Sequence, residues 1–158
     1  MGAAVAGSTN PGSPPTPSAA ATITDLADDR DAASDGYRRF WVVAYTLDAH
    51  PVTEWSSRLG TVATEPLLPK LLDALRAQRA SGIREYGRVL PRLVTVEIQG
   101  DVATIFDCQD ASGAGEAQTD TGLPKTVGNA RTPIAASMRR GPDGEWRVSE
   151  AKELDRSC

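Results

Sequence analysis

Apolar residues recur along this chain with two different spacings, three and four up to residue 82 and two beyond it. In the first part Tyr37, Phe40, Trp41, Ala44 and Leu47 form an aromatic stripe at helical spacing. The helix carrying that stripe starts at Asp25 or at Ser34, with an acidic lead-in of Asp25, Asp28, Asp29 and Asp31 that suits a helix N-terminus. It stops at Asp48-Ala49-His50-Pro51, because a residue ahead of proline avoids the α region. Thr53 caps a short second helix, which carries Trp55 and Leu59 on one face and closes at Gly60. Thr64-Glu65-Pro66 opens a third, striped by Leu67, Leu68, Leu71, Leu72 and Leu75, with Gly82 just past its end.

After Gly82 the pattern becomes that of strands. Ile83 to Val89 reads as an edge strand, separated by Pro91 from the central hairpin. That hairpin, Leu93 to Asp110, turns at Gly100-Asp101, with glycine at the first turn position as a type II′ turn prefers. With Gln99 opposite Val102, Ile98 faces Ala103, Val96 faces Ile105 and Val94 faces Asp107. One surface of the hairpin is then Val94, Val96, Ile98, Ala103 and Ile105 with a single carboxylate. A lone hairpin is not stable in water, so another element must cover that surface. Residues 111 to 130 show no period, which marks a loop that is functional or disordered and dispensable for folding. A second hairpin pairs Arg131 to Arg140 with Glu145 to Leu154. Its Pro142-Asp143 turn and Gly144 bulge set Met138 against Val148 and Arg140 against Trp146, gathering Ile134, Ala136, Met138, Trp146 and Val148 on one side. Helices first and antiparallel strands afterwards is an α+β layout.

Composition narrows the class. A length of 158 residues and a hydrophobic fraction of 40% allow one domain and a tail. Residues 1 to 33 divide into a stretch of Ala, Gly, Ser, Thr and Pro that cannot bury enough surface to order itself, followed by the acidic lead-in. They are expected to form a disordered tether ahead of a domain at 34 to 158. The net charge of −4, with no block of Lys and Arg, argues against nucleic acid as a partner. One His and no Cys-x-x-Cys leave no metal spacing, and no cofactor motif is found. Neither a spanning apolar run nor a signal peptide is visible, so an exported protein would take its targeting segment from outside this sequence.

The three helices, the strand meander and the final strand Asp143-Gly144-Glu145-Trp146-Arg147-Val148 resemble the nuclear transport factor 2-like (NTF2-like) superfamily. More narrowly, the chain is similar to small exported actinobacterial proteins of that fold, with their Phe106-Asp107-Cys108-like strand end and late cysteine. The resemblance runs from Ser34 to Cys158. It implies a cone of helices packed on a strongly curved antiparallel sheet, often with a pocket inside. It also spans isomerases, dehydratases, transport adaptors and scaffolds of secretion machines, and so leaves the activity open.

Two groups of residues stand out as candidates. Cys108 ends a core strand and Cys158 is the last residue, so a bond between them would pin a tail that otherwise frays; two unrelated buried thiols are the alternative. A disulfide implies an oxidising, extracytoplasmic compartment. Asp107 lies among apolar neighbours and is the weak candidate for a general base, working with a tyrosine. The structural alternative is that donors hold it ionised, with its pKa below the ordinary value. In this superfamily Tyr37, Trp41 and Tyr45 would stand near the cone's interior, and together with Asp107 they are the candidate pocket. His50 reads as a solvated helix end, and Arg84, Glu85, Arg88 and Arg92 as a solvated edge that discourages strand addition. Arg139-Arg140 is too small for a nucleic-acid patch. The expectation is a non-catalytic, tethered, extracytoplasmic domain that binds a protein partner or a small apolar ligand, with membrane attachment through an upstream segment and self-association through the sheet as further contacts. An isomerase or dehydratase using Asp107, and a structural subunit of a secretion or conjugation apparatus, are the alternatives.

Overall fold

A computed structural model describes residues 22–158 of the protein; residues 1 to 21 of the tether expected over 1 to 33 lie outside them. Helix α1 runs over Ile23–Thr46. Thr22 caps it in a reciprocal box, its hydroxyl accepting the Asp25 amide while the Asp25 carboxylate accepts the Thr22 amide. Of the two expected starts, the one near Asp25 is therefore close to the mark. Packing also reaches ahead of the expected boundary at Ser34. Asp29 receives a two-pronged ion pair from Arg140, at 2.7 Å on each arm, and Ala33 is fully buried. The second helix, α2 (Trp55–Gly60), continues out of a 3₁₀ turn at Val52–Glu54 instead of being capped by Thr53. Helix α3 spans Leu67–Ala80.

The strands are β1 (Ile83–Gly87), β2 (Leu93–Gln99), β3 (Val102–Gln109), β4 (Ala114–Gln118), β5 (Thr132–Arg140) and β6 (Trp146–Glu153). Four of them form an antiparallel sheet in the order β2-β3-β5-β6. The β2–β3 turn has Gly100 at φ +59°, a left-handed value that glycine adopts freely. From there the register follows the pattern as far as Thr95↔Phe106 and then departs from it. A bulge at Val94 sets Leu93, not Val94, opposite Asp107 and turns Val94 out to 56% exposure. The second hairpin keeps Met138↔Val148 and Arg140↔Trp146 as read from Gly144. An unforeseen bulge at Ser149 then brings Ala151 opposite Ala136, and Ser149 is buried with its hydroxyl on the Ser137 carbonyl.

The stretch from 111 to 130 is not the loop its composition suggests. It contains β4, which pairs along its whole length with β1 in a small second sheet. Ala114 and Ala117 are buried, so apolar alternation is present but carried by the smallest side chains. The edge strand β1 thus has a partner.

Helix α1 lies across the inner face of the larger sheet, against both β2 and β6. Tyr37, Phe40, Ala103, Ile105, Ala136, Met138, Trp146 and Val148 form the core between them, joined by Trp55 and Leu59 of α2. Each large side chain buried there contributes roughly 1.5–3 kcal/mol. The approach is closest at Gly36, where a Cβ would lie 2.8 Å from the Trp146 carbonyl oxygen and 3.1 Å from Cε of Met138. Nothing larger than glycine fits that crossing.

Candidate functional site

Asp107 is fully buried on β3, facing α1. Its Oδ2 accepts the Tyr37 hydroxyl at 3.0 Å and its Oδ1 the Arg92 amide at 2.6 Å. The carboxylate thus ties the helix to the bend that precedes β2. Burial nonetheless pushes it above the ordinary carboxylate range, outweighing the Arg92 amide, the Tyr37 hydroxyl and the charge of Arg38. That overturns the expectation that donors hold it below its ordinary value. Tyr37 is itself fully buried, and burial followed by the neighbouring Asp107 raises its hydroxyl far out of the working range. Two groups so held brace the helix against the sheet, and both are closed off from solvent.

On the same strand Cys108 is bonded to Cys158, with Cα atoms 5.8 Å apart. The tail is held further by Arg131, which donates to the Cys158 carbonyl at 3.0 Å, and by Arg156 stacked 4.2 Å above the Phe106 ring.

The other two candidate pocket residues lie elsewhere. One to two turns along α1, Trp41 and Tyr45 join Phe40 in lining a cavity of about 210 Å³. Leu67, Leu71 and Leu75 of α3, Ala151 of β6 and Glu85 of β1 line it as well. All of these except Phe40 keep part of their surface exposed, so the cavity communicates with solvent. The four expected residues therefore separate into a sealed pair, Tyr37 and Asp107, and a cavity pair, Trp41 and Tyr45. Trp41 Nε1 is buried without a partner in hydrogen-bonding geometry, although it lies near enough to the Tyr37 hydroxyl to favour that group's ionised oxygen.

Glu85 departs from the sequence expectation. Instead of lying on a solvated edge, Glu85 lines the cavity, and burial pushes its carboxyl up, with Glu116 and Asp48 adding to the rise. Gln78 opposes that rise by donating from Nε2 to Glu85 at 3.0 Å, and the same nitrogen donates to Glu116 at 3.1 Å. Tyr45 responds to the same surroundings, pushed up to about 12 by burial and then by Glu85 and Glu116. The available signal was local: Glu85 shares a face of β1 with Ile83, two residues back, which has to pack inward. Arg88 and Arg92 are exposed as expected, with Arg92 paired to Asp110 at 2.6 Å. His50 is partly exposed at the end of its turn, and its carbonyl accepts the Trp55 indole at 3.0 Å. Arg140 lies over Trp146 and is taken up by Asp29.

A wider depression of about 910 Å³ runs beside α1, past Asp35, Arg38, Arg39, Glu145 and Arg147. Its charges pair among themselves or with close neighbours: Arg38 with Asp35, Arg39 with Glu145, and Arg147 with Asp143. It offers no unmatched chemistry to a ligand. Among the described residues no group of His, Cys, Asp and Glu is placed to hold a metal ion, and no helix is long and apolar enough to cross a membrane.

Neither a protein-family model nor a curated protein sequence matches the chain. Solved structures do resemble it. The intermembrane space region of the chloroplast protein ARC6 aligns with a TM-score of 0.61 at 15% identity, over 79% of this chain and 95% of that one. An NTF2-like superfamily protein from Salmonella enterica serovar Typhimurium aligns at 0.54 and 8% identity, over 81% and 91%. A protein from Catenulispora acidiphila, solved in complex with S-DNPA, aligns at 0.51 and 14% identity, over 80% and 92%. Likeness at such identities is a likeness of fold. The chain has the NTF2-like fold, an α+β arrangement of helices packed on an antiparallel sheet.

Proposed function

We propose that this is a non-catalytic binding domain that works outside the cytoplasm and takes a small apolar ligand into the cavity between α1, α3 and β1. One observation carries the reading. The space in this fold is walled by Phe40, Trp41, Tyr45 and three leucines, while the carboxylate that an isomerase or dehydratase would need is sealed against Tyr37 and the Arg92 amide. Apolar walls with few polar groups are what small-molecule sites commonly present. A volume near 210 Å³ exceeds the roughly 150 Å³ that holds benzene in an engineered apolar cavity. The Cys108–Cys158 bond supports an oxidising compartment, and the ARC6 region has the same fold in an intermembrane space. A titration with benzyl alcohol, followed through the Trp41 indole N–H by NMR, tests the site. Saturable shifts confined to Trp41, Tyr45 and the α3 leucines are expected, and they should vanish in Leu71→Trp, whose larger ring fills the cavity. Shifts that ignore the Leu71→Trp change, or no shifts at all in the folded protein, would refute the reading.

A further inference from the structure

We propose that the ligand of this cavity is an apolar cation, a small ammonium whose hydrocarbon part lies against Trp41, Leu71 and Leu75 and whose charge meets the Glu85 carboxylate. The inference rests on the binding reading above and adds the chemistry of the ligand. Glu85 is the charged residue of the cavity wall, set among three aromatic rings and three leucines. No cation compensates it among the described residues; the donor that reaches its carboxylate is Gln78, whose amide nitrogen is shared with Glu116. A carboxylate has about four acceptor positions on its two oxygens, so most of Glu85's capacity is unused.

The groups around it deepen the deficit. From β4 comes Glu116, another carboxylate on the same amide. From the turn after α1 comes Asp48, whose charge is met by Arg79 of α3 at 2.5 Å. On β1 itself, Arg84 turns its guanidinium to the main-chain oxygen of Glu85, at 3.3 Å, and leaves the carboxylate alone. From α1, Tyr45 brings a phenol whose ionisation is opposed first by burial and then by Glu85 and Glu116. With Arg79 taken up by Asp48 and Arg84 turned to the main chain, the carboxylates of Glu85 and Glu116 are left to share one neutral amide donor. The rings of Phe40, Trp41 and Tyr45 in the cavity wall reinforce the preference, since an aromatic face attracts a cation. An anion would meet repulsion there. A neutral ligand would bury the carboxylate further and leave Gln78 as its one side-chain donor among the described residues.

The experiment compares benzylammonium, benzyl alcohol and benzoate at neutral pH and physiological ionic strength, by tryptophan fluorescence and by shifts of the Trp41 indole N–H. Benzylammonium is expected to bind about tenfold more tightly than benzyl alcohol, as one charge-assisted contact would give, and benzoate more weakly than either. Glu85→Gln keeps the size and the Gln78 neighbour, and should bring benzylammonium down to the level of the alcohol without weakening the alcohol. Acidifying the unaltered protein supplies a second arm, independent of whether the variant folds. The preference should fade as Glu85, which the carboxylates of Asp48 and Glu116 face, takes up its proton. Equal affinity of ammonium and alcohol, or an ammonium preference that survives both Glu85→Gln and acid, would overturn the cation proposal and leave the apolar pocket standing. Binding of none of the three would overturn the pocket itself.

Discussion

Asp107 offers a sharp test of whether burial or hydrogen bonding governs the centre of this fold. Tyr37→Phe removes the 3.0 Å hydrogen bond to the carboxylate and leaves one donor on a fully buried charge. Hydrogen bonds to charged groups are worth about 1.5–3 kcal/mol, and that loss is expected at neutral pH. Asp107→Leu strands the Tyr37 hydroxyl and the Arg92 amide together and should cost about 1–3 kcal/mol for the hydroxyl alone. Asp107→Asn keeps an oxygen for the Arg92 amide and lets the Tyr37 hydroxyl accept from the new amide, while removing the buried charge. It should fall within about 1 kcal/mol of the parent. For a domain of this size each kcal/mol is read as a shift of roughly 3–5 °C in melting temperature. The pH dependence has a definite sign. The folded-state pKa lies above the unfolded one, so the folded protein takes up the proton first. The stabilisation from that group is fully present below the unfolded value and is lost as pH rises through the folded one. The Asn variant has no such proton. Denaturant unfolding of both proteins between neutral pH and about pH 4 should therefore show the parent gaining on Asp107→Asn as the pH falls. A parent that loses ground on acidification would mean the donors win and burial does not, refuting the reasoning.

The packing sets three further expectations. Gly36→Ala should destabilise by about 1–3 kcal/mol in chemical denaturation, because a backbone oxygen blocks the new methyl; a gain of about 1 kcal/mol from helix propensity would show that the crossing can yield. Reducing the Cys108–Cys158 bond, which closes a separation of 50 residues, should cost about 4 kcal/mol in the chain-entropy picture; calorimetry with and without reductant measures it, and an unchanged melting temperature would count against it. Replacing residues 111 to 130 with a Gly-Ser linker should cost about 2–4 kcal/mol, since β1 loses its partner, Ala114 and Ala117 lose their burial and Tyr86 loses the Thr126 carbonyl; a melting temperature equal to the parent's would restore the view that the segment is dispensable.

Both hairpins of the larger sheet could be read from the chain because glycine chemistry fixed their turns. Gly100 and Gly144 take left-handed values that few other residues accept, and the registers near each turn follow from them. The bulges at Val94 and Ser149 were hidden, because neither residue type announces one; each is imposed by the need to present Leu93 and Ala151 to the core. Strand β4 escaped notice because its inward residues are Ala114 and Ala117, whose side chains give almost no periodic signal. Gly36 gave no local signal, since its meaning lies in the Trp146 carbonyl far along the chain. For Glu85 the local signal, its shared face with Ile83, was outweighed by its charge, which reads as solvated until α3 and β4 are known to stand beside it. By contrast Tyr37 and Asp107 were expected near each other, and they meet because both face the core from elements whose period was legible.

The Cys108–Cys158 bond also decides how the domain would carry load. Tension applied at residues 22 and 158 enters the sheet at Cys108, in the middle of the strand order, and bypasses β5 and β6 entirely. Those two strands lie inside the covalent loop, so they remain slack while β2 and β3 are sheared. In single-molecule pulling the oxidised chain would extend only by the contour outside the loop. The length between the two cysteines would be released only after reduction.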